Sequence, residues 1–382
     1  MIALSSDDLP MFFAPGHAAL AERLRAAAPA LAAAEQAADE PARDRGAVAA
    51  LAGAELLRLV VADALPLDTR GLVLARELLG YVSPRADSIF AVQGLGTHPV
   101  ALAGDAAARA QLASFADGRQ VAAFALTEPE AGSDVAAIAT RATAVEGGWR
   151  LDGDKLFISN LGLASHATVF ASVDPSAGRR GLAAFWVPLA ADGVTVTPME
   201  ATAPHPIGAL ALRGVTVPTT AMIGGPGDGW RLAMSTLDAF RVTVGAAAVG
   251  MARRALAEAA AHVRARVQFG KPLAEQPLVQ AHLADMVVDL DAARLLVLRA
   301  AWQKDTVGGK VTTEVSIAKL GATEAASRVV DRAVQLLGGR GVMAGHPVEL
   351  LQRAIRPLRI YEGTSEIQRT IIGRAVAAGA GA

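Results

Sequence analysis

The sequence predicts an α+β protein, mostly helical, built from three consecutive domains at residues 1–120, 121–225 and 226–382. Alanine- and leucine-rich segments with helical spacing fill both ends of the chain, and short β-branched and aromatic segments lie between them. A glycine-rich cluster at 224–229 separates the second part from the third. Because strands and helices do not alternate, the order argues against a doubly wound parallel sheet.

The amino-terminal part shows the spacing of amphipathic helices between residues 18 and 116. Apolar residues recur three or four positions apart, as at Leu20, Leu24, Ala27 and Leu31. Prolines should break or kink these helices, because proline lacks the N–H that a helix needs. The expected break points are Pro29, Pro41, Pro66 and Pro84.

The central part predicts a small β-barrel or sandwich. Six segments rich in β-branched and aromatic residues are separated by glycine, proline and aspartate turns. They lie at 140–145, 149–159, 168–173, 181–187, 194–199 and 209–217. The first two are joined by Glu146, Gly147 and Gly148, which suit a hairpin turn.

The carboxy-terminal part predicts a bundle of long helices. One apolar stripe includes Leu237, Phe240 and Val244, and another runs from Val315 to Leu336. Glycines 338 and 339 then end the second helix. Long helices joined by short connections are typical of helical bundles.

The composition excludes several classes of function. Among 382 residues, 36 lysines and arginines nearly balance 37 aspartates and glutamates, so no net field favours nucleic acid or a membrane surface. There is no cysteine, and the seven histidines show no metal-ligand spacing, so no metal site is expected. The longest apolar runs are too short to cross a bilayer, and residues 1–8 lack signal-peptide character. We therefore expect a cytoplasmic protein.

Two motifs in the central part could hold a ligand. Residues 127–134 read TEPEAGSD and place the hydroxyls of Thr127 and Ser133 on a loop of turn-forming residues. Further on, Phe157 and Ser159 stand two positions apart, which on a strand puts both side chains on one side. A planar ligand could stack on the ring and bond the hydroxyl. Taken alone, an ordinary loop and a core phenylalanine explain these residues equally well.

Two motifs in the carboxy-terminal part suit anions. Residues 264–272 place arginines next to a Gly-Lys-Pro turn, and arginine forks match phosphate oxygens. Residues 335–341 form a glycine cluster after a helix, where a pyrophosphate could approach the backbone. A dinucleotide fingerprint of the Rossmann type is rejected there, because no strand precedes the glycines. The arginines could also be simple partners of a helix dipole.

The most informative residue is Glu362, within residues 360–369. It precedes Gly363 and a helix start marked by Thr364 as the N-cap. A carboxylate held at such a junction is a candidate catalytic base. By base rates alone, a solvated glutamate near a helix start is the simpler interpretation.

Taken in chain order, these motifs resemble those of the acyl-CoA dehydrogenases, a family of FAD-dependent enzymes. The similarity covers residues 88–374 and includes FIS at 157–159, RVQFGKP at 266–272, QLLGGRG at 335–341 and IYEGTSEIQR at 360–369. The resemblance implies an amino-terminal helical domain, a central β domain and a carboxy-terminal four-helix bundle. It also implies a homotetramer, an acyl-CoA substrate and an electron-transfer flavoprotein or similar acceptor.

The resemblance assigns FAD contacts to three groups of residues. The flavin ring region would be held by Leu126, Thr127, Ser133, Phe157 and Ser159. The pyrophosphate and adenosine end would be held by Arg266, Gln268 and Phe269, with Gln335, Gly338 and Gly339 supplied by a neighbouring subunit. Thr364 and Glu366 would contact FAD just beyond the base.

The same resemblance implies the catalytic and substrate residues. Glu362 would take the α-proton, while Ser133, Asp238, Arg241 and Gly363 would contact the substrate. Some relatives carry the base on the long helix, where this chain has Phe240, which cannot accept a proton. A plain Asp238–Arg241 ion pair is the simpler alternative for those two residues. Arg356 and Arg359 are expected to be solvated at a helix end.

Two departures from the family pattern leave other functions open. Residues 276–277 read Gln-Pro where relatives have an aromatic residue followed by glutamine, so one contact to the FAD phosphate is in doubt. The region before residue 88 lacks the glycine-rich tract that is usual in the family. The leading hypothesis is FAD-dependent α,β-dehydrogenation of an acyl thioester, carried by CoA or by a carrier protein. The alternatives are a flavin oxidase or monooxygenase that uses oxygen, and a non-catalytic acyl-CoA-binding flavoprotein.

Overall fold

The computed structural model describes residues 6–61, 65–309 and 311–379. Residues 1–5, which carry part of the prediction about the amino terminus, lie outside this description. The chain divides into two compact units. One contains Met1–Ala32, Asp68–Asp87 and Arg241–Ala382, and the other contains Ala33–Leu67 and Ser88–Phe240. The predicted α+β class is confirmed, whereas the boundaries of the three predicted domains stay a prediction.

Five α-helices lie in the described residues of the amino-terminal part. They are α1 Gly16–Ala34, α2 Glu40–Gly53, α3 Thr69–Val82, α4 Pro84–Ala103 and α5 Ala106–Ala116. Aspartates 39, 68 and 105 cap α2, α3 and α5, each accepting a hydrogen bond from a first-turn N–H. Pro41 and Pro84 stand at the starts of α2 and α4, as helix-initiating prolines do.

Pro29, where a break or a kink was expected, does not end its helix. Pro29 lies inside α1, which continues from Gly16 to Ala34. The proline ring is on the exposed side of the helix, whereas Leu24 and Leu31 are buried. A carbonyl that loses its helical partner on that side can bond water instead, so burial of the opposite side keeps the helix intact.

The central part forms one connected sheet of eight strands. They are β1 Ala122–Ala125, β2 Arg141–Val145, β3 Gly148–Ser159, β4 His166–Ser172, β5 Leu182–Pro188, β6 Val194–Pro198, β7 Ile207–Pro218 and β8 Met222–Ile223. Their order is β6-β7-β3-β2-β4-β5-β8, and β1 pairs in parallel with β4. Val145 pairs with Gly148, so Glu146 and Gly147 form the predicted hairpin turn.

The two halves of this sheet share one core. They are joined by a single pair, Arg141 with Ser172. Leu151 and Leu212 from one half pack in the same cluster as Val169 and Phe185 from the other. The sheet therefore encloses its own core, as the prediction of a barrel or sandwich requires.

The carboxy-terminal part is helical. It contains α6 Gly229–Ala265, the short strands β9 Val267–Gln268 and β10 Lys271–Pro272, α7 Pro277–Trp302, α8 Thr312–Leu337, α9 Pro347–Ile355 and α10 Ser365–Ala377. Val242 of α6, Val297 of α7 and Ala318 of α8 belong to one buried cluster, together with Val73 of α3. Both α9 and α10 pack on α8.

Helices α3 and α6 approach each other closely at two glycines. A Cβ on Gly250 would lie 2.1 Å from the carbonyl oxygen of Glu77, and one on Gly80 would lie 2.3 Å from that of Ala247. Real Cβ atoms do not come so close to backbone oxygens. Only glycine at both positions allows this contact, which brings the charged residues of α3 next to α6.

Helix α6 is long and apolar enough to cross a membrane by length and composition. Its most apolar window has a mean hydropathy of 1.3, and 72% of that window is buried within the protein. The predicted apolar stripe at Leu237, Phe240 and Val244 lies on this helix. Burial on that scale is the mark of a core helix.

Candidate active site

Glu362 lies on a short turn between a 3₁₀ turn at Arg356–Arg359 and α10. The hydroxyl of Thr364 accepts a hydrogen bond from the N–H of Ile367, so Thr364 is the predicted N-cap. Glu362 has φ 53° and Gly363 has φ 93°, both in the left-handed region. For glutamate that conformation is unfavourable, so the surrounding contacts must hold it in place.

Three side chains from three helices hold the main chain of this turn. Arg241 Nε of α6 donates to the Glu362 carbonyl oxygen at 3.0 Å. Lys319 Nζ of α8 donates to the Gly363 carbonyl oxygen at 2.8 Å, and Gln368 Nε2 of α10 donates to it at 3.0 Å. Two of these donors, Arg241 and Lys319, carry a positive charge, and charged donors form stronger hydrogen bonds than neutral ones. The turn is therefore held rigidly.

The Glu362 side chain is partly buried, and its Oε2 atom is fully buried. Its Oε2 atom has no hydrogen-bond partner within residues 6–61, 65–309 and 311–379. Burial raises the pKa of this carboxyl, while the positive charges of Arg76, Arg241 and Lys319 act in the opposite direction. A raised pKa and a free acceptor are what a general base needs. The solvated-glutamate alternative does not fit a buried Oε2.

A second layer of contacts lies behind the turn. Glu324 of α8 forms an ion pair with Arg359 at 2.8 Å and accepts a hydrogen bond from the Ser365 hydroxyl at 2.6 Å. Arg356 is exposed, as expected, whereas Arg359 is partly buried and paired with Glu324. Arg359 therefore fixes the turn from outside.

Sequence reasoning missed several residues around Glu362. Arg76, Asp87, Lys319 and Gln368 are all buried. The available signal was a charged side chain inside an apolar segment, as in residues 72–79, where Arg76 interrupts a leucine-rich run. Such a residue is buried only if it finds a partner, and no local spacing reveals that partner.

The TEPEAGSD loop lies in the other unit and is tied to strand β3. The carbonyl oxygen of Thr127 accepts from the N–H of Leu156 at 2.9 Å. Glu128 pairs with Ala131 across a tight turn, and Ser133 is exposed just after this turn, whereas Leu126 is buried. The loop thus presents Ser133 on a fixed support.

A buried ion pair anchors this loop. Lys155 Nζ lies 2.7 Å from Glu128 Oε1 and donates to the carbonyl oxygen of Leu126 at 3.2 Å. Glu128 also accepts from the N–H of Thr140 at 3.0 Å. Burial lowers the pKa of Lys155 to about 8, and the attraction of Glu128 limits that fall. Every oxygen and nitrogen of the pair has a partner, as a buried pair requires.

The predicted stacking residue Phe157 lies at an irregularity of β3. The pairing of β3 with β7 shifts between Lys155 and Ile158, and Phe157 has φ 57°. The regular alternation that would put Phe157 and Ser159 on one side is therefore interrupted, so that argument was wrong. The Phe157 ring is 59% exposed, and the Ser159 hydroxyl lies 3.3 Å from His205 Nε2.

The residues predicted to hold the adenosine end are exposed. Phe269 is 94% exposed in the turn between β9 and β10, with φ 52°. His262, near the end of α6, has its pKa lowered first by burial and then by Arg340 and Arg266, so both motifs lie close to it. The other members of the group are also exposed: Arg266, Gln268, Gln335, Gly338 and Gly339.

These residues fit FAD. Phe157 and Phe269 both have positive φ and are more than half exposed, which suits stacking on a planar ligand. A Cβ on Gly338 or Gly339 would meet nothing within 4 Å, so the backbone there is open to a phosphate. Glu366 is exposed in the first turn of α10, and Asp238 is half-buried on α6. In the described residues, no histidine, aspartate and glutamate cluster could hold a metal ion.

Comparison with known proteins identifies related sequences. Residues 123–215 match the family of acyl-CoA dehydrogenase middle domains, and residues 227–377 match the family of acyl-CoA dehydrogenase C-terminal domains. The short-chain specific acyl-CoA dehydrogenase of Megasphaera elsdenii is 37% identical over 81% of this chain and 82% of its own length. The mitochondrial short-chain specific enzyme of Homo sapiens is 39% identical over 69% of this chain, but over only 65% of its own length.

Solved structures show the same architecture over nearly the whole chain. The butyryl-CoA dehydrogenase of Megasphaera elsdenii is 30% identical and has a TM-score of 0.87, covering 96% of this chain and 99% of its own. A chain from a structure described as the electron transferring flavoprotein of Acidaminococcus fermentans is 28% identical and has a TM-score of 0.88, covering 95% of this chain and 98% of its own.

Proposed function

Because the chain belongs to the acyl-CoA dehydrogenase family, we propose that it oxidises a short-chain acyl-CoA to the 2-enoyl-CoA, with Glu362 as the base. The predicted cofactor, FAD, is confirmed, since enzymes of this family depend on it. The short acyl chain is proposed because both related proteins described above are short-chain specific enzymes.

One observation carries the assignment of the base. Glu362 Oε2 is buried without a hydrogen-bond partner among the described residues, on a turn that Arg241, Lys319 and Gln368 hold by its carbonyl oxygens. Because the turn is held through its backbone, Oε2 stays available to accept a proton.

The reaction balances with one proton and one hydride. The Glu362 carboxylate takes the α-proton, so the C–H electron pair forms the new α,β double bond. FAD, when bound, would supply the acceptor for the hydride of the β-carbon. Burial raises the pKa of Glu362, which stabilises the protonated carboxyl group that this step produces.

The experiment is an anaerobic titration of the purified yellow protein with butyryl-CoA, octanoyl-CoA and branched acyl-CoAs. We expect butyryl-CoA to bleach the flavin absorbance fastest. Glu362→Gln should keep its FAD and lose roughly 100-fold to 10,000-fold in bleaching rate. Glu349→Gln on α9 makes the same chemical change in a glutamate that pairs with Arg353, and it should bleach normally.

The results also separate the alternatives. If no acyl-CoA bleaches the flavin, the dehydrogenase proposal fails, and activity with a carrier-bound thioester would then favour the carrier option. Rapid turnover in air without another acceptor would favour an oxidase, although the presence of Glu362 favours dehydrogenation. A Glu362→Gln variant that bleaches at the normal rate would remove Glu362 from the mechanism.

We further propose a homotetramer and an electron-transfer flavoprotein as acceptor. Exposed apolar side chains on α7, including Leu278 and Val288, support association with further copies. The similarity to a chain from an electron transferring flavoprotein structure supports the acceptor. Light scattering tests the tetramer, and reduction of added electron-transfer flavoprotein tests the acceptor. A cytoplasmic location stays a prediction.

A further inference from the structure

A fully buried ion pair lies beside the Glu362 turn. Arg76 of α3 and Asp87 of the first turn of α4 are each 1% exposed. Arg76 donates twice to the Asp87 carboxylate, from Nε and from Nη2, both at 2.8 Å. Its Nη1 donates to the hydroxyl of Thr243 on α6 at 3.0 Å. The guanidinium is therefore held in one orientation from two sides.

Stability does not explain this pair. Removing two charges from water costs free energy that their attraction only partly returns, and apolar side chains of similar volume often serve as well or better. The α3 residues one turn before and after Arg76 include the buried, apolar Leu72 and Leu79. An apolar residue would fit the segment, so the pair points to another role.

The pair is connected to the base through two short routes. Arg76 forms a hydrogen bond with the hydroxyl of Tyr361, the residue that directly precedes Glu362. Thr243, its other neutral partner, lies two residues after Arg241, which holds the Glu362 carbonyl oxygen. Arg76 therefore bonds to the turn itself and to the helix that supports it.

Charge compensation is the second feature of the pair. Arg76 acts on the Glu362 carboxyl to lower its pKa, and Asp87 acts to raise it. The other groups facing Glu362 are Arg241 and Lys319, which also lower the pKa. Without Asp87, three cations would face one carboxylate, and Glu362 would become the natural ion-pair partner of Arg76.

We propose that Arg76 and Asp87 are positioning residues for the base: Arg76 holds the turn through Tyr361, and Asp87 occupies the guanidinium so that Glu362 stays unpaired and basic. The proposal rests on the proposed function of Glu362. It assigns a role in the reaction to residues of α3 and α4 that carry none of the motifs of the sequence.

Three variants separate the two roles. Asp87→Asn leaves Arg76 uncompensated, so the acid limb of the kcat/KM profile should move to lower pH by about one unit. Arg76→Met removes the cation, so the limb should move to higher pH by a similar amount. The double variant Arg76→Met, Asp87→Leu should leave the limb near its wild-type position, while kcat falls because Tyr361 is no longer held.

A matched control makes the same chemical change in another ion pair. Asp289→Asn removes a carboxylate that accepts from Arg328 at 2.6 Å and from Arg332 at 2.7 Å, on the surface of α7 and α8. We expect no shift of the acid limb for this variant. A shift as large as that of Asp87→Asn would mean that general charge changes, and not this pair, set the profile.

Titration of Glu362 without turnover keeps the test independent of the proposed reaction. The C=O stretch of the protonated carboxyl group, assigned by its loss in Glu362→Gln, is followed by infrared difference spectroscopy from pH 4 to 10. Opposite shifts for Asp87→Asn and Arg76→Met are expected even if no acyl-CoA is a substrate.

Two results would overturn the inference. One is a shift in the same direction, or no shift, in the infrared titrations of Asp87→Asn and Arg76→Met. The other is a double variant that keeps the wild-type kcat, which would show that Arg76 does not position the turn. If Arg76→Met does not fold, the Asp87→Asn titration and the double variant decide.

Discussion

Replacing Lys319 with methionine tests whether this residue contributes to the stability of the fold or to the position of the Glu362 turn. Lys319 has no exposed surface, and its Nζ donates to the Gly363 carbonyl oxygen at 2.8 Å. Methionine has a similar length and is apolar, so it fills the same space without donating. The Gly363 carbonyl keeps its bond from Gln368 Nε2 and is not left unsatisfied.

The two effects of the change nearly cancel in stability. Burial lowers the pKa of Lys319 from 10.5 to about 8, and the attraction of Glu362 limits the fall. At 1.36 kcal/mol per unit, this shift means that keeping Lys319 charged in the fold costs about 3 kcal/mol at neutral pH. A hydrogen bond from a charged donor returns about 1.5–3 kcal/mol. Lys319→Met should therefore change the free energy of unfolding by less than about 2 kcal/mol.

The sign of the pH dependence follows from the lowered pKa. The folded protein releases the lysine proton near pH 8, before the unfolded chain does near 10.5. The wild type is therefore stabilised relative to Lys319→Met as pH rises through this interval, and it loses that stabilisation as pH falls through 8. At pH 10 the difference should exceed its value at pH 7 by about 2.5 kcal/mol.

The assay is urea unfolding of both proteins at equal protein and FAD concentrations between pH 7 and 10, beside anaerobic flavin bleaching. Near-equal stability at pH 7 with bleaching slowed at least about tenfold is expected, because a looser turn misplaces the base. A loss above about 4 kcal/mol at pH 7, or bleaching at the wild-type rate, would refute the reasoning.

Two further substitutions test the Glu128–Lys155 ion pair in one unit and the close contact of α3 with α6 in the other. Glu128→Gln leaves Lys155 buried without its counter-ion, which should lower the free energy of unfolding by about 3–5 kcal/mol and weaken FAD retention. Thermal unfolding and the release of flavin fluorescence measure the two effects. An unchanged melting temperature would contradict this prediction. Gly250→Ala places a Cβ 2.1 Å from the Glu77 carbonyl oxygen, so α3 and α6 must separate, which should lower the free energy of unfolding by about 1–3 kcal/mol. At the control position, Gly373, a Cβ meets nothing within 4 Å, and Gly373→Ala should lower it by less than about 1 kcal/mol.

Local signals in the sequence were sufficient for the strands and for the turn at the base. The six predicted β segments match β2 to β7 within two residues, because glycine, proline and aspartate mark their ends. Thr364 caps α10 as its sequence context predicts. The sequence also placed a glycine after Glu362, but the left-handed φ of Glu362 itself depends on donors from α6 and α8 and has no local signal.

The environment of the base could not be predicted because its partners are distant in the chain. Arg76 contacts Thr243, 167 positions away, and Lys319 contacts Gly363, 44 positions away. In the sequences of α3 and α8, Arg76 and Lys319 stand out only as charged residues on an apolar helix face. Periodicity identifies such a position as buried but gives no information about which main-chain or side-chain group will accept its proton.

Each unit contains one lysine that contributes more to the position of a loop than to stability. Lys155 donates to the Leu126 carbonyl oxygen beside the TEPEAGSD loop, and Lys319 donates to the Gly363 carbonyl oxygen beside Glu362. Both have a pKa lowered to about 8 by burial, so both cost free energy to keep charged in the fold. Apolar replacements would remove that cost and leave the carbonyl oxygens less constrained. Since a displacement of about 1 Å at a reacting group can cost 100-fold in rate, fixing a carbonyl oxygen at such a loop outweighs the lost stability.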